Sequence, residues 1–462
     1  MYSLIFLTLV SFLLALILTP FVRNRARALG LVDQPDHLRK LHATPIPRLG
    51  GVAILLAYLI AFGLFLLTPL QAVHLILGGI PLAIRIAPAI VLIFALGVWD
   101  DVHPIRPWQK FVGQILAAIV VYFAGVHVQA FGGFPIPYYL GLPATVFWLV
   151  LCTNAVNLID GVDGLATGIG IFATATTLLA ALLQNNMDLA FAVAPLLGCL
   201  LGFLRYNFNP ATIFLGDSGS LFIGFLLGCC SIIWSQKSAT ILGMTAPLLA
   251  LANPLLDTVL AVLRRFLRGQ PLFTGDRGHI HHRLLDRGLS PRRVALIIYG
   301  LCGLSATFAL LMMNSRLQGL VVILFCGVAW IGVQHLGYVE FGVAGRMFVE
   351  GAFRRHLNSS IALRNFEDGL KSAATPDELW KVIEESSKQF GFHTIDMSLA
   401  GHRYEYRNGG RPDRSWQVKI PLSIHQDYIE LTREFDSTPE HNLIAPYADA
   451  LRRSIETKMT GL

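Results

Sequence analysis

Long apolar windows alternate with short polar connectors along the chain until about residue 337. Windows long enough to cross a bilayer fall at 2–22, 50–68, 83–99, 111–129, 141–158, 165–184, 188–204, 218–235, 239–263, 294–313 and 317–337. The pattern therefore predicts an all-α polytopic membrane protein of about eleven transmembrane helices. The first window, Tyr2–Val22, has no basic lead-in and no small-residue cleavage site, and Arg23, Arg25 and Arg27 follow it directly. It reads as a retained span with its N-terminus outside, in preference to a cleaved signal peptide.

Beyond 337 the periodicity changes. Thr375-Pro376-Asp377-Glu378 has the form of a helix start, with Leu379, Trp380, Val382, Ile383 and Phe390 as the apolar face of the helix that follows. Thr394–Ala400 and Trp416–Ile420 alternate as strands do. A second helix places Leu443, Ile444, Tyr447, Ala448, Leu451 and Ile455 on one face. The division is thus a membrane domain at 1–337 and a small α+β cytoplasmic domain at 338–462, joined through Glu340 to Asn365.

Composition agrees with the pattern: 54% of the 462 residues are hydrophobic and only 14% charged, about half the charge of a soluble protein. The basic residues carry the orientation. The connectors 23–49, 100–110, 159–164, 205–217 and 264–293 hold 17 Lys and Arg, while the opposite side holds Arg85, Lys237 and Arg316. The positive-inside rule makes the first side cytoplasmic, with the N-terminus out and the C-terminus in. Residues 1–337 contain 11 Asp and no Glu, and nine of those Asp lie in or beside the same connectors. One face is built for chemistry. The positive charge is accounted for by these loops, so no nucleic-acid partner is expected. The six cysteines show no CxxC or paired pattern, which excludes a zinc cluster or a disulfide framework as the organising device.

Five connectors and one helix carry candidate chemistry. The first holds Asp33, Arg39, Lys40, His42 and Arg48 among prolines and glycines, and simple membrane anchoring accounts for its bases equally well. In the second, Asp100 and Asp101 are adjacent and Lys110 follows. Neighbouring carboxylates repel, so a divalent cation or a shared proton is the usual remedy, and oxygen ligands suit Mg²⁺; the plainer alternative is two acids in headgroup water at a helix end. The third, around CTNAVNLIDGVDGLATG at 152–168, spaces Asn157, Asp160 and Asp163 by three, close to one helical face. Helix capping would explain Asp163 but not the other two. In the fourth, Asn207 precedes Phe214-Leu215-Gly216-Asp217-Ser218, where Asp217 at a helix start could ligate a metal or merely cap the helix. Asp257, inside the ninth window, requires function or pairing, with Arg264 or Arg265 as a structural partner. In the fifth, Arg277, His279, His281 and His282 cluster; with no cysteine and with Arg neighbours they suit a pyrophosphate clamp better than zinc.

These stretches together, DQPDHLRKLHATPIPRLGG, GVWDDVHPIRPWQK, NAVNLIDGVDGLATG, FNPATIFLGDSGS, and PLLDTVLAVLRR followed by DRGHIHHRLL, resemble the polyprenyl-phosphate N-acetylhexosamine-1-phosphate transferases, in particular the bacterial branch that uses undecaprenyl phosphate. The resemblance covers about residues 1–337 and implies eleven spans. Position by position it implies Mg²⁺, or Mn²⁺ in its place, on Asp217, with Asp100 and Asp101 beside the metal and the lipid phosphate. It implies Asn157, Asp160, Asp163, Asn207 and Phe214 around the nucleotide sugar, and His279, His281 and His282 near phosphates and sugar. Lys110, Asp100, Asp101 and His279 are then the expected catalytic groups, with Asp100 doubling as metal ligand and Arg277 helping to bind substrate. The run PIPRLGG departs from the TPTMGG-like run of the muramoyl-pentapeptide branch, which points to a simpler amino sugar. The tail lies outside the resemblance, although Leu379–Phe390 is faintly similar to the opening helix of GAF-type sensor domains.

The expected reaction moves N-acetylhexosamine 1-phosphate from a UDP-sugar, UDP-GlcNAc first, to undecaprenyl phosphate with release of UMP. It would be the first membrane step of a cell-envelope polysaccharide at a bacterial inner membrane, its site facing the cytoplasm. Membrane lipids are expected partners, and a homodimer and a regulatory partner for the tail stay open. The rival from another class, a polytopic transporter, predicts acids spread through the membrane depth and on both faces.

Overall fold

The computed structural model describes residues 2–34, 45–68, 73–131, 134–236, 245–267, 278–314, 316–336, 352–373, 375–390, 392–399, 401–408, 415–421, 427–434 and 444–459. The chain divides into two compact units, Met1–Tyr338 and Val339–Leu462.

The first unit is helical: α1 Tyr2–Ala28, α2 Gly50–Leu66, α3 Val73–Val102, α4 Pro107–Phe123, α5 Tyr138–Ile159, α6 Leu165–Leu183, α7 Met187–Asn207, α8 Gly216–Gln236, α9 Thr245–Ala250, α10 Ala252–Leu267, α11 Ile280–Asp286, α12 Pro291–Leu311 and α13 Gln318–Leu336. In a bilayer every backbone polar group must be satisfied within its own segment, which makes helices the form these apolar windows take. Among the described residues seven helices are long and apolar enough to cross a membrane: α1, the Pro81–Val102 part of α3, α5, α6, α7, α8 and α12; Gly50–Leu66 and Gln318–Gly332 are shorter apolar helices. The outward face of α1 shows how these helices meet their solvent: Ile5, Leu9, Leu13 and Ile17 are exposed while Leu4, Leu7, Ser11 and Ala15 face the protein.

Three expected segments differ. The window 83–99 is the later part of α3, which begins ten residues earlier at Val73. The window 111–129 begins earlier and ends sooner, as α4, whose polar Lys110 and Gln114 point to partners inside the protein. The window 239–263 is not one helix: Leu251 separates α9 from α10, and 237–244 lie outside the described residues. Pro254 explains the break. It has no N–H to give the Ala250 carbonyl and its ring would collide with it, so the helix restarts with proline in the first turn.

α8 is the axis of this unit. It packs against α2, α3, α5, α6, α7 and α9, and 89% of its apolar window is enclosed. Close approach depends on small residues, as in membrane helix pairs generally. A Cβ placed on Gly224 would lie 2.8 Å from the Cys152 carbonyl oxygen of α5, and one on Gly97 of α3 would lie 2.5 Å from the Asp217 carbonyl oxygen. The ends of α3, α5 and α8 that carry charge are thereby drawn together.

The second unit has its own core. Helices α14 Ala352–Ser372, α15 Pro376–Phe390 and α16 Ile444–Met459 accompany a four-stranded antiparallel sheet, β5 Thr394–Leu399, β6 His402–Arg407, β7 Ser415–Pro421 and β8 Tyr428–Glu434, in the order β6-β5-β8-β7. (Short pairs β1 Val32–Asp33 with β2 Ile46–Pro47, and β3 Ala130–Phe131 with β4 Phe134–Pro135, belong to the first unit.) Ile395, Met397 and Leu399 alternate inward from β5 onto Ile383, Phe392, Leu431, Tyr447 and Leu451. Tyr447 stacks on Phe366 at 4.4 Å and its hydroxyl meets Ser386 Oγ at 2.9 Å. The Thr375 hydroxyl caps α15 by accepting from the Glu378 N–H at 3.3 Å. The stretch expected to be a linker is in its described part helical, since α14 begins at Ala352.

Candidate active site

Four helix ends converge on one acidic cluster. Asp100 and Asp101 close α3, Lys110 lies in the first turn of α4, Asn157 in the last turn of α5, and Asp217 in the first turn of α8. Lys110 Nζ stands 2.5 Å from Asp100 Oδ2 and donates to Asp217 Oδ2 as well, tying two carboxylates that lie 117 positions apart in sequence with one ammonium. The other oxygen of Asp100 accepts from the Ile105 N–H at 2.7 Å, and Asp217 Oδ1 accepts from Asn157 Nδ2 at 3.1 Å. Asn157 donates also to Ser220 Oγ at 2.9 Å, a contact no local pattern announces.

Asp101 does different work from its neighbour. Its Oδ1 accepts from the Asp217 N–H at 2.7 Å and its Oδ2 from the Ser218 N–H at 3.0 Å. Both oxygens are thus spent on capping α8, where free N–H groups and the helix dipole favour an anion. Gly216, at φ +73°, makes room for this, because a Cβ there would sit 2.6 Å from Asp101 Oδ2. Asp101, expected among the catalytic groups, thereby fixes the direction of Asp217.

The turn after α5 supplies the next wall. Asp160 and Asp163 were expected on one helical face with Asn157, but the helix ends at Ile159 and only Asn157 is helical. Asp163 Oδ2 accepts from Asn209 Nδ2 at 2.9 Å and from the Ala211 N–H at 3.0 Å, so this carboxylate ties the turn to the 208–215 connector. Asn207 is 2% exposed: its Oδ1 accepts from Thr167 Oγ1 at 2.7 Å and its Nδ2 donates to the Ile213 carbonyl at 3.0 Å. Its amide thus shapes the loop, and its near-complete burial sets it behind the wall of the pocket that it was expected to line. Phe214 is half-buried, and its backbone pairs with Pro47 and Gly50, joining the first connector to the fourth.

Asp160 is the exception. Among the described residues no donor meets its carboxylate. Burial first, and then the nearby charges of Asp217, Asp101 and Asp163, push its pKa well above the usual carboxylate range, with Arg48 opposing. Arg48 is itself paired with Asp33. Among the described residues the cluster gathers hard carboxylate oxygens around the Lys110 ammonium. That donor set fits a hard divalent cation.

The histidines form the third wall. His279 and His281 are 5% and 1% exposed, stacked with ring centroids 5.6 Å apart and planes 7° from parallel, and His282 lies 4.3 Å from His281. Their Nδ1 atoms turn to Asp257 Oδ2, at 3.2 and 3.9 Å, while Asp257 Oδ1 accepts from the Ile280 N–H at 2.9 Å. Asp257, for which Arg264 or Arg265 was the expected partner, thus serves the histidine segment; Arg264 donates to the Gly278 carbonyl at 2.9 Å. His281 Nε2 faces the Asp160 turn, since a Cβ on Gly161 would lie 3.2 Å from it. Burial, and then the charges of His282 and His279, hold the His281 pKa down at about 4, with Asp257 opposing. Arg277 lies outside the described residues. Tyr299 of α12, which sequence reasoning did not single out, donates to the Gly164 carbonyl at 2.7 Å and braces the turn from behind; nothing in its own sequence neighbourhood signals that contact.

A polytopic membrane protein whose helix ends gather carboxylates, a bridging lysine and paired histidines is equipped for chemistry on phosphates. Comparison with known proteins makes the class specific. Residues 83–235 match the family described as glycosyl transferase family 4. The chain is 36% identical over 302 residues to a probable undecaprenyl-phosphate N-acetylglucosaminyl 1-phosphate transferase of Bacillus subtilis, covering 63% of this chain and 80% of that protein. It is 35% identical over 314 residues to the decaprenyl-phosphate N-acetylglucosaminephosphotransferase of Mycobacterium tuberculosis, covering 62% and 76%. To the phospho-N-acetylmuramoyl-pentapeptide-transferase of Levilactobacillus brevis it is 31% identical over 277 residues, covering 55% and 80%. The chain belongs to glycosyl transferase family 4, the family of polyprenyl-phosphate sugar-1-phosphate transferases.

Proposed function

We propose that the protein transfers N-acetylhexosamine 1-phosphate from UDP-N-acetylglucosamine to undecaprenyl phosphate, releasing UMP, as the first membrane step of a cell-envelope polysaccharide. The observation that carries the reading is the Lys110 bridge between Asp100 and Asp217, which draws carboxylates from two helix ends onto one ammonium. In the reaction a lipid phosphate oxygen attacks the sugar-bearing phosphorus, a new P–O bond forms, and the P–O bond to UMP breaks. Transition states of this kind make few covalent demands on the protein, so positioning and charge stabilisation dominate.

Each group has a task. Lys110 offers its ammonium to the incoming lipid phosphate while holding Asp100 and Asp217 in register. Asp100, its Oδ1 anchored by the Ile105 N–H, orients that phosphate or takes its proton. Asp217 and Asp100 would hold Mg²⁺, with substrate phosphates and water completing its shell; Mn²⁺ suits the same oxygens. Such an ion would neutralise charge on the pyrophosphate. Asp160 and the Asp163-braced turn, closed by the histidine pair, form the wall for the nucleotide sugar. Asp101 and Asn207 act through the backbone that they hold. The concentration of Lys and Arg in the connectors that carry these residues supports a site on the cytoplasmic face of a bacterial inner membrane.

The test is UMP release by the full chain in proteoliposomes containing undecaprenyl phosphate, run with UDP-GlcNAc, UDP-GalNAc and rarer UDP-amino sugars. Release with UDP-GlcNAc that EDTA abolishes and Mg²⁺ restores is expected. Undiminished release under EDTA would remove the metal from the account, and no release with any donor would remove the transferase.

A further inference from the structure

The histidine segment has a support that the proposed chemistry does not use directly. Asp257 is 3% exposed and belongs to α10, the helix that restarts after the Pro254 break. A carboxylate in such a place must be paired or functional. Its contacts are divided between two tasks. One oxygen accepts from the Ile280 N–H at 2.9 Å and so sets where the segment 279–282 begins its turn. The other faces the Nδ1 edge of His279 at 3.2 Å and, more distantly, that of His281 at 3.9 Å. The rings are nearly parallel, so one carboxylate oxygen addresses the same edge of both.

We propose that Asp257 is a positioning residue for the transfer reaction: its carboxylate keeps the proton of His279 on Nδ1 and turns the Nε2 edges of His279 and His281 toward the substrate side. The proposal rests on the transferase reading above. The reasoning is that of carboxylate–histidine pairs elsewhere, where the partner on one ring nitrogen decides what the other can offer. The stacked neighbour follows the same orientation, and its Nε2 reaches the Gly161 turn beside Asp160. The His279–Asp257 contact is at ion-pair distance without the alignment of a linear hydrogen bond, and contacts of this sort commonly tighten when substrate closes the site. Arg264, holding the Gly278 carbonyl, fixes the approach to the same segment.

The experiment uses the full chain in lipid, with Asp257→Asn, His279→Gln and the double variant. Asn keeps an oxygen for the Ile280 N–H and nearly the same volume but cannot favour the Nδ1 proton. Asp257→Asn is expected to lower kcat for UMP release about 10- to 100-fold, with the apparent KM for UDP-GlcNAc changing less than threefold. The double variant is expected to be no slower than His279→Gln alone, because the two residues act as one unit. Solid-state ¹⁵N spectra of histidine-labelled protein give a readout that needs no turnover: the wild type should show His279 protonated at Nδ1, and Asp257→Asn should shift that proton. Independent, multiplying losses in the double variant, or a wild-type His279 bare at Nδ1, would overturn the proposal. A wild type that shows the Nδ1 proton but releases no UMP with any donor would instead sink the transferase reading.

Discussion

Replacing Lys110 by Met removes an ammonium and keeps most of the side chain's length and apolar stem. The structure sets the size of the effect. Lys110 makes two charge-assisted contacts, to Asp100 and to Asp217, and the three side chains are 22%, 13% and 23% exposed. Such contacts contribute about 1.5–3 kcal/mol each when buried. With this much solvent access the lower figure applies, giving roughly 3 kcal/mol for both. Used in the transition state, that corresponds to a loss of about a hundredfold in kcat/KM for UMP release. Lys110→Arg, which keeps the charge and can span both carboxylates, should lose less, on the order of tenfold. The variants also separate two jobs of the lysine. Its ammonium occupies Asp217 Oδ2, so removing it should lower the Mg²⁺ concentration needed for half-maximal rate even as the rate itself falls. The assay is initial UMP release in proteoliposomes across a Mg²⁺ titration, with thermal melts to confirm folding. Lys110→Met within threefold of wild type at saturating Mg²⁺ would refute the reasoning.

Two further outcomes follow from the geometry. Asp101→Ala leaves the Asp217 and Ser218 N–H groups without their acceptor, so the melting midpoint should fall by a few degrees, consistent with about 1–2 kcal/mol for a lost cap; an unchanged midpoint would show that Asp101 does not hold α8. His281 is kept neutral in the fold, its pKa held at about 4, whereas in the unfolded chain it would take a proton near pH 6.5. Its contribution to stability is therefore whole above pH 6.5 and lost as pH falls toward 4, by about 2 kcal/mol at pH 5. His281→Gln should flatten the fall in melting midpoint between pH 7 and 5, and a wild-type midpoint that does not fall over that range would contradict the assignment.

Much of this site is visible in the sequence because its residues stand at helix ends. A carboxylate at the end of a long apolar run is conspicuous, which is how Asp100, Asp160 and Asp217 are found, and the HIHH run stands out by its density of histidines. What each does is set by partners far along the chain, and local spacing says nothing of those. Asp101 looks like the twin of Asp100 until the Asp217 and Ser218 N–H groups are seen to occupy both its oxygens. Asn207, which the resemblance places around the nucleotide sugar, is held by Thr167 and the Ile213 carbonyl, contacts that its neighbourhood in sequence does not announce. The regular spacing of Asn157, Asp160 and Asp163 imitates a helical face that stops at Ile159. For Asp257 the sequence leaves function and pairing with a neighbouring arginine both open, because the histidines, 22 and 24 positions on, are hidden from any short-range pattern. In the fold, a hydropathy window cannot register a proline break, so α9 and α10 merge into one segment. In the second unit β6 alternates Arg403, Glu405 and Arg407 with Tyr404 and Tyr406, but its inward face is only partly buried and carries tyrosines where β5 carries aliphatic residues, so it is less conspicuous.

The central claim is that the Lys110-bridged carboxylates serve transfer of a sugar phosphate to a polyprenyl phosphate. Its most direct test is mass spectrometry of the lipid formed when purified protein, UDP-GlcNAc, undecaprenyl phosphate and Mg²⁺ are incubated, compared with Asp217→Asn. The account predicts undecaprenyl-pyrophosphoryl-GlcNAc in amounts equal to the UMP released, and none above background from Asp217→Asn. Sugar joined to the lipid through a single phosphate with UDP as the by-product, or full product from Asp217→Asn, would contradict it.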